Sequence, residues 1–247
     1  MNRLGQIEVS IVIRTYGIEY LETILEIIEK QDTSGFVLNE IVIVNGNRSI
    51  DISSQGLVSS CKLIFVNNYL EPYKPGQALN CGIESTTGQV IAFLSGHSVP
   101  VGADWLKSLV IEFTKERVFC VCGAQTPRTE SNLAEIIYRI FWYSNNSIGN
   151  IFGHFNMANS ALEKSFWLKV KFDEHLDGCE DRLWAQVIKK EYGVRIAFSS
   201  DAKVIHSHVN SVLATFRYFV WLSKVCLLSR RLLAVARSRH YKKTYYK

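Results

Sequence analysis

The chain has 247 residues, 47% of them hydrophobic and 21% charged, which excludes wholesale disorder and is enough for one large domain with its own core. Its net charge of +5 is unevenly placed: residues 217–247 carry nine Lys and Arg and no acid, leaving 19 basic against 23 acidic residues in the rest. Such a tail calls for an anionic surface, and with no recognition fold beside it, lipid head groups are expected rather than nucleic acid.

The first half alternates strand and helix signals. Ser10 to Ile13 is a β-branched run, and Tyr20 to Glu29 places Leu21, Ile24, Leu25 and Ile28 at helical spacing. Ile41 to Val44 is a second strand, closed by the turn formers Asn45-Gly46-Asn47, and Leu63 to Val66 is a third. A helix is predicted over Gly76 to Glu84, a strand over Val90 to Leu94 and a helix over Trp105 to Phe113. This alternation predicts an α/β fold with a mostly parallel sheet flanked by helices. Ligands gather at the carboxyl ends of such strands, here Thr15-Tyr16, Asn45 to Ser49 and Ser95 to His97.

The second half is less regular. Val118 to Ala124 reads as a strand, Leu133 to Tyr143 as a helix and residues 144–150 as a polar loop. Glu180 to Tyr192 reads as a helix, and Val194 to Phe198 and Ala202 to Ile205 as two short strands. The division expected is a domain over 1–210 and a helical basic tail over 211–247. In the tail Arg217, Lys224 and Arg231 recur at sevens beside Phe216, Trp221, Leu228 and Leu232, the pattern of a helix lying in a membrane interface. No run is long enough for a secretory signal or a transmembrane helix, and the six cysteines have no disulfide or zinc spacing. A cytoplasmic location, peripheral on the inner face of the membrane, is expected.

Six segments in order resemble glycosyltransferases of family 2, with the GT-A (Rossmann-like) fold. They are VSIVIRTYG, IVIVNGNRSID, KPGQALNCGIESTTGQVIAFLSGHSVP, FNMANSALEKSFW, GCEDRLWAQVIKKEYG and AKVIHSH, spread over residues 8–210. The SxHSxP segment with a terminal HSH is similar to bacterial capsule and O-antigen enzymes of the rhamnosyltransferase kind. The resemblance implies inverting transfer of a sugar from a nucleotide-sugar donor to a lipid-linked saccharide acceptor in surface polysaccharide synthesis. At the family's Asp-x-Asp position this chain reads Ser95-Gly96-His97, and Asn45 stands where an aspartate is common. No metal ligands are therefore assigned, and no cofactor is expected: a divalent metal is compatible but not essential. Two alternatives stay open: a CMP-linked or other atypical donor, or a non-catalytic nucleotide-sugar-binding partner.

Inverting transfer needs a base for the acceptor hydroxyl and a counterweight to the departing phosphates. The resemblance places the base at Asp181, with Glu180 orienting the acceptor or supporting the loop; helix capping by acids is the plain alternative. His97, His206 and His208 are candidate donors to the phosphates. Ser95, Thr15, Tyr16, Asn45, Arg48 and Asn80 complete the donor-side candidates, although turn chemistry and surface charge also account for several of them. Gln125, Arg128, Asn156 and Asn159 are the acceptor-side candidates.

Overall fold

The computed structural model describes residues 7–53, 56–57, 59–69, 71–143, 155–208, 212–217 and 220. In chain order the elements are β1 (Ile7–Thr15), α1 (Leu21–Glu29), β2 (Phe36–Asn45), β3 (Lys62–Asn67), α2 (Pro75–Glu84), β4 (Val90–Ser95), β5 (Val99–Pro100) and α3 (Trp105–Val110), which runs into a 3-10 turn. Then come β6 (Val118–Thr126), α4 (Leu133–Tyr143), β7 (Asn159–Glu163), α5 (Lys164–Lys169), α6 (Glu180–Tyr192) and β8 (Arg195–Ile205). The polar loop expected over 144–150 and all but seven residues of the basic tail lie outside the described residues. Residues 212–217 are helical, and no helix among the described residues is long and apolar enough to cross a membrane.

One eight-stranded sheet has the order β3-β2-β1-β4-β7-β6-β8-β5. The pairs β3-β2, β2-β1, β1-β4 and β6-β8 are parallel, whereas β7 runs antiparallel to both its neighbours. The parallel strands need cover on both faces, which is why the stretches Ile11–Ile13, Ile41–Val44 and Val90–Leu94 are continuously apolar rather than alternating. Ile11, Ile13, Ile41, Ile43 and Leu94 pack with α1 and α3 on one face; Val12, Val42, Val44 and Phe93 pack with α2, α5 and α6 on the other. The two short strands expected over 194–205 form the single strand β8. Its register against β6 jumps between Ser199 and Lys203, so a local irregularity imitates a break in the pattern.

The β7 strand escapes the sequence pattern because it opens with Asn159 and Ser160, both fully buried. Asn159 is an interior strut. Its Nδ2 donates to the carbonyls of Ala124 and Ala202, each at 2.8 Å, and its Oδ1 accepts from the Trp105 indole at 2.9 Å. Asn80 is equally committed: its amide bonds Phe172 O, Glu174, Phe172 N–H and the Trp167 indole. All four bonding positions of Asn80, and both amide hydrogens of Asn159, are thus committed inside the protein. Asn159→Ala would orphan two buried carbonyls and an indole N–H, and a lost partner costs about 1–3 kcal/mol each. Chemical denaturation of this variant is expected to show at least about 3 kcal/mol lower stability with an unchanged slope.

Candidate active site

The acid pair comes off the first turn of α6. Cys179, just before it, has left-handed backbone with φ of +60°, turning the chain sharply so that both carboxylates fall at the helix N-terminus. Glu180 and Asp181 are buried. Asp181 accepts from two backbone N–H groups, Met157 at 3.1 Å and Arg182 at 2.7 Å, so its orientation is fixed by the segment leading into β7. Glu180 faces Arg14 at 3.7 Å. Burial, and then the charge of Asp181, push the Glu180 carboxyl up to about 7, with Arg14 opposing.

Arg14, at the carboxyl end of β1, was not singled out by the sequence pattern. Its guanidinium lies 6.0 Å from the Tyr73 ring, and its Nη1 is buried without a hydrogen-bond acceptor among the described residues. Its charge acts both on Glu180 and on His97, so the acid pair and an imidazole cluster share its field.

The cluster joins the turn after β4 to the chain leaving β8. His97 Nε2 is 2.9 Å from His206 Nε2, and the rings of His97 and His208 are 5.1 Å apart. The pairing of β5 with β8 and a backbone bond from His206 N to Thr126 O set this juxtaposition. Gly96 is needed for it: a Cβ there would stand 2.1 Å from Thr15 Oγ1. Burial, then the charges of His208 and Arg139, lower His97 to about 3. Burial and Arg139 also lower His206 and His208, so all three imidazoles are neutral at neutral pH.

Behind the cluster is α4. Glu135 and Arg139 form a buried pair at 3.3 Å, one turn apart on its inner face. Arg139 Nη1 donates to Gln125 Oε1, and His206 Nδ1 is 2.9 Å from the same oxygen. Gln125 Nε2 donates to Asn156 Oδ1 at 3.2 Å, and that oxygen also accepts from Ala158 N–H. Gln125 and Asn156 thus meet at the site as orienting groups. Arg128 donates to the His97 carbonyl at 2.9 Å and lies 4.2 Å over the Tyr20 ring. An i,i+4 acid–base pair on an otherwise apolar helix is the signal that would have found Glu135 and Arg139.

The nucleotide-side candidates separate. Tyr16 is 46% exposed, with its ring 5.0 Å from that of Tyr73 in a T-shaped contact. Thr15 and Asn45 serve their own turns: Thr15 Oγ1 bonds Gly17, and the Asn45 amide bonds Ile50 O and Asn47 N–H. Arg48 is exposed beside Tyr69, and Ser95 pairs with Ser98 at 2.6 Å.

The fold is GT-A, and the donor-side candidates Thr15, Asn45 and Ser95 lie at the carboxyl ends of β1, β2 and β4. A family model described as glycosyl transferase family 2 matches residues 10–166, and the chain belongs to that family. A comparison with curated proteins finds no match. Among solved structures, the mannosyltransferase PcManGT from Pyrobaculum calidifontis, in complex with GDP-Man and Mn2+, superposes with TM-score 0.57 at 17% identity over 80% of this chain and 56% of its own. S. aureus TarS 1-349 in complex with UDP-GlcNAc gives 0.61, 18%, 83% and 60%. Mannosyl-3-phosphoglycerate synthase from Rubrobacter xylanophilus gives 0.65, 12%, 98% and 79%. The chain therefore spans under two thirds of the length of the first two.

The Mn2+ of the first neighbour raises the question of whether the residues here suit such an ion. Hard divalent cations take oxygen donors, and Ser95-Gly96-His97 offers no carboxylate. The group that gathers there is three imidazoles, which does not fit magnesium or manganese.

The raised Glu180 carboxyl has a consequence for stability. Its folded-state pKa of about 7 lies above the ordinary 4.5, so its stabilising contribution is full below 4.5 and is lost as pH rises through 7. Thermal melts of Glu180→Gln and wild type are expected to differ progressively in the variant's favour between those limits, by at most about 3 kcal/mol.

Proposed function

We propose that the protein is an inverting glycosyltransferase that moves a sugar from a nucleotide-sugar donor to a lipid-linked saccharide at the cytoplasmic face of a membrane, in bacterial surface polysaccharide synthesis. The observation that carries the reading is Asp181: a buried carboxylate held by two backbone N–H groups at a helix N-terminus, beside Glu180 and Arg14. In the reaction the acceptor oxygen bonds to the anomeric carbon, the bond from that carbon to the diphosphate breaks, and Asp181 takes the acceptor proton. Tyr16 offers a face to the base, and Arg128 with the imidazole cluster faces the diphosphate. The absence of carboxylates at 95–97 supports turnover that needs no added magnesium or manganese.

The membrane side of the reading rests on α4. Its inner stripe of Glu135, Arg139 and Tyr143 is buried, whereas Leu133, Ile137, Ile140 and Phe141 on the outer side are 52–71% exposed. Val212, Leu213 and Phe216 expose a second apolar face, and Asn132, which caps α4, ties the two helices through Thr215 at 2.8 Å. The nine cations of residues 217–247 follow directly, the complement of an anionic bilayer. One helix would thus touch lipid on one side and the site on the other.

Two outcomes are expected. With a donor panel and lipid-linked acceptor, Asp181→Asn lowers kcat about 100- to 10,000-fold with donor binding retained, and added Mg2+ or Mn2+ leaves wild-type turnover unchanged. Near-normal turnover of Asp181→Asn would place the base elsewhere. Co-sedimentation with phosphatidylglycerol vesicles is expected to fall several-fold in Ile137→Glu/Phe141→Glu, and to fall only in part at high salt. Indifference of the full chain to these vesicles at low salt would refute the membrane docking.

A further inference from the structure

The His97–His206–His208 cluster is built like a transition-metal site, and its sequence spacing concealed this. No zinc pattern is visible in the sequence because one ligand stands 109 residues from the next. In space, one nitrogen from each ring lies within 4.8 Å of the others. A late first-row ion binds imidazole nitrogen at about 2.0–2.1 Å, so two ligands can lie up to about 4.2 Å apart, and modest ring rotation closes the set.

The surroundings supply what a bound His206 needs. A ligating histidine keeps its second ring nitrogen protonated and hydrogen-bonded, which fixes the tautomer. Here the direction of each bond can be followed outward. Ala158 N–H and Gln125 Nε2 both donate to Asn156 Oδ1, so the Gln125 carbonyl oxygen must face His206. Arg139 also donates to that oxygen; its Nη1 is 3.1 Å from His206 Nδ1, which lies closer to Gln125 Oε1, at 2.9 Å, and the proton is assigned to Nδ1 on that geometry. His206 Nε2 is then bare and directed at His97. Without an ion, His97 Nε2–H donates to it; on binding, the ion replaces that proton, which moves to His97 Nδ1 and leaves the ring neutral. Glu135 stands behind His208: its Oε1 accepts from the His208 backbone N–H at 2.6 Å, and its Oε2 has no hydrogen-bond partner among the described residues.

We propose that His97, His206 and His208 form a binding site for one late first-row transition ion, of the zinc, cobalt or nickel kind, at the position where the family's Asp-x-Asp would lie. Three neutral nitrogen donors select such ions against magnesium and manganese. An ion held there keeps open positions toward the donor side, where phosphate oxygens would complete its coordination. The inference does not depend on the transferase reading.

The test is titration of the chelator-stripped full chain with Co2+, followed by the visible ligand-field absorption of a nitrogen-coordinated ion. The expected result is a band saturating at one ion per chain, displaced by Zn2+ and untouched by excess Mg2+. His206→Ala and the milder His208→Asn should each weaken binding at least about 100-fold, and Gln125→Leu about 10-fold as an outer partner. His175→Ala, at an exposed histidine elsewhere, and Asp181→Asn should bind as wild type. Circular dichroism identifies any variant that fails to fold. No band, or a band that survives both His206→Ala and His208→Asn, overturns the proposal. Either result leaves the transferase reading to stand or fall on Asp181.

Discussion

One buried polar chain holds the candidate site together. It begins at the Glu135–Arg139 pair on α4 and reaches Gln125 at the end of β6, where it divides. One branch passes to His206 and His97, the other to Asn156, whose next residue, Met157, presents its N–H to Asp181. Buried polar groups are costly when left unpaired, and the bonds that link these members permit few arrangements of the chain's parts. Removal of one link leaves its neighbours unsatisfied in a low dielectric. The imidazole side and the carboxylate side of the site are therefore positioned as one unit although they come from distant segments.

The fold makes that unit necessary. β7 enters between β4 and β6 against the direction of both, which brings residues 156–159 alongside the end of β6. Asn159 fixes the entry by bridging the carbonyls of Ala124 and Ala202. The bonds that secure the strand and those that orient Gln125 lie a few residues apart, so stability and site geometry are coupled there.

Much of this was legible in the sequence. The apolar runs of β1, β2 and β4 and the helical spacing in α1, α4 and α6 predict their elements closely, because parallel strands and amphipathic helices declare themselves locally. The ordered family motifs place Asp181 at a helix start. The imidazole cluster was not legible as a cluster, since only the β5–β8 pairing brings His97 to His206. Asn80 read as a donor-side residue and Asn159 as an acceptor-side amide, yet both face buried backbone and indole groups. An amide's partners depend on which side of a strand or helix meets the core, and a lone asparagine carries no periodicity to reveal it. Arg14 and Glu135 were hidden differently: each sits in an element whose apolar pattern dominates.

The central claim is that the polar chain holds His206 as a neutral Nδ1–H imidazole with Nε2 bare toward His97. Nitrogen-15 NMR of the histidine rings in the full chain, with His206 assigned by substitution, tests it most directly. The account predicts the Nδ1–H tautomer for His206 at neutral pH, unchanged on mild acidification because burial and Arg139 hold its pKa well below the ordinary 6.5. An Nε2–H tautomer, with Arg139 donating to Nδ1 instead, or a ring that charges near its ordinary pKa, would contradict it.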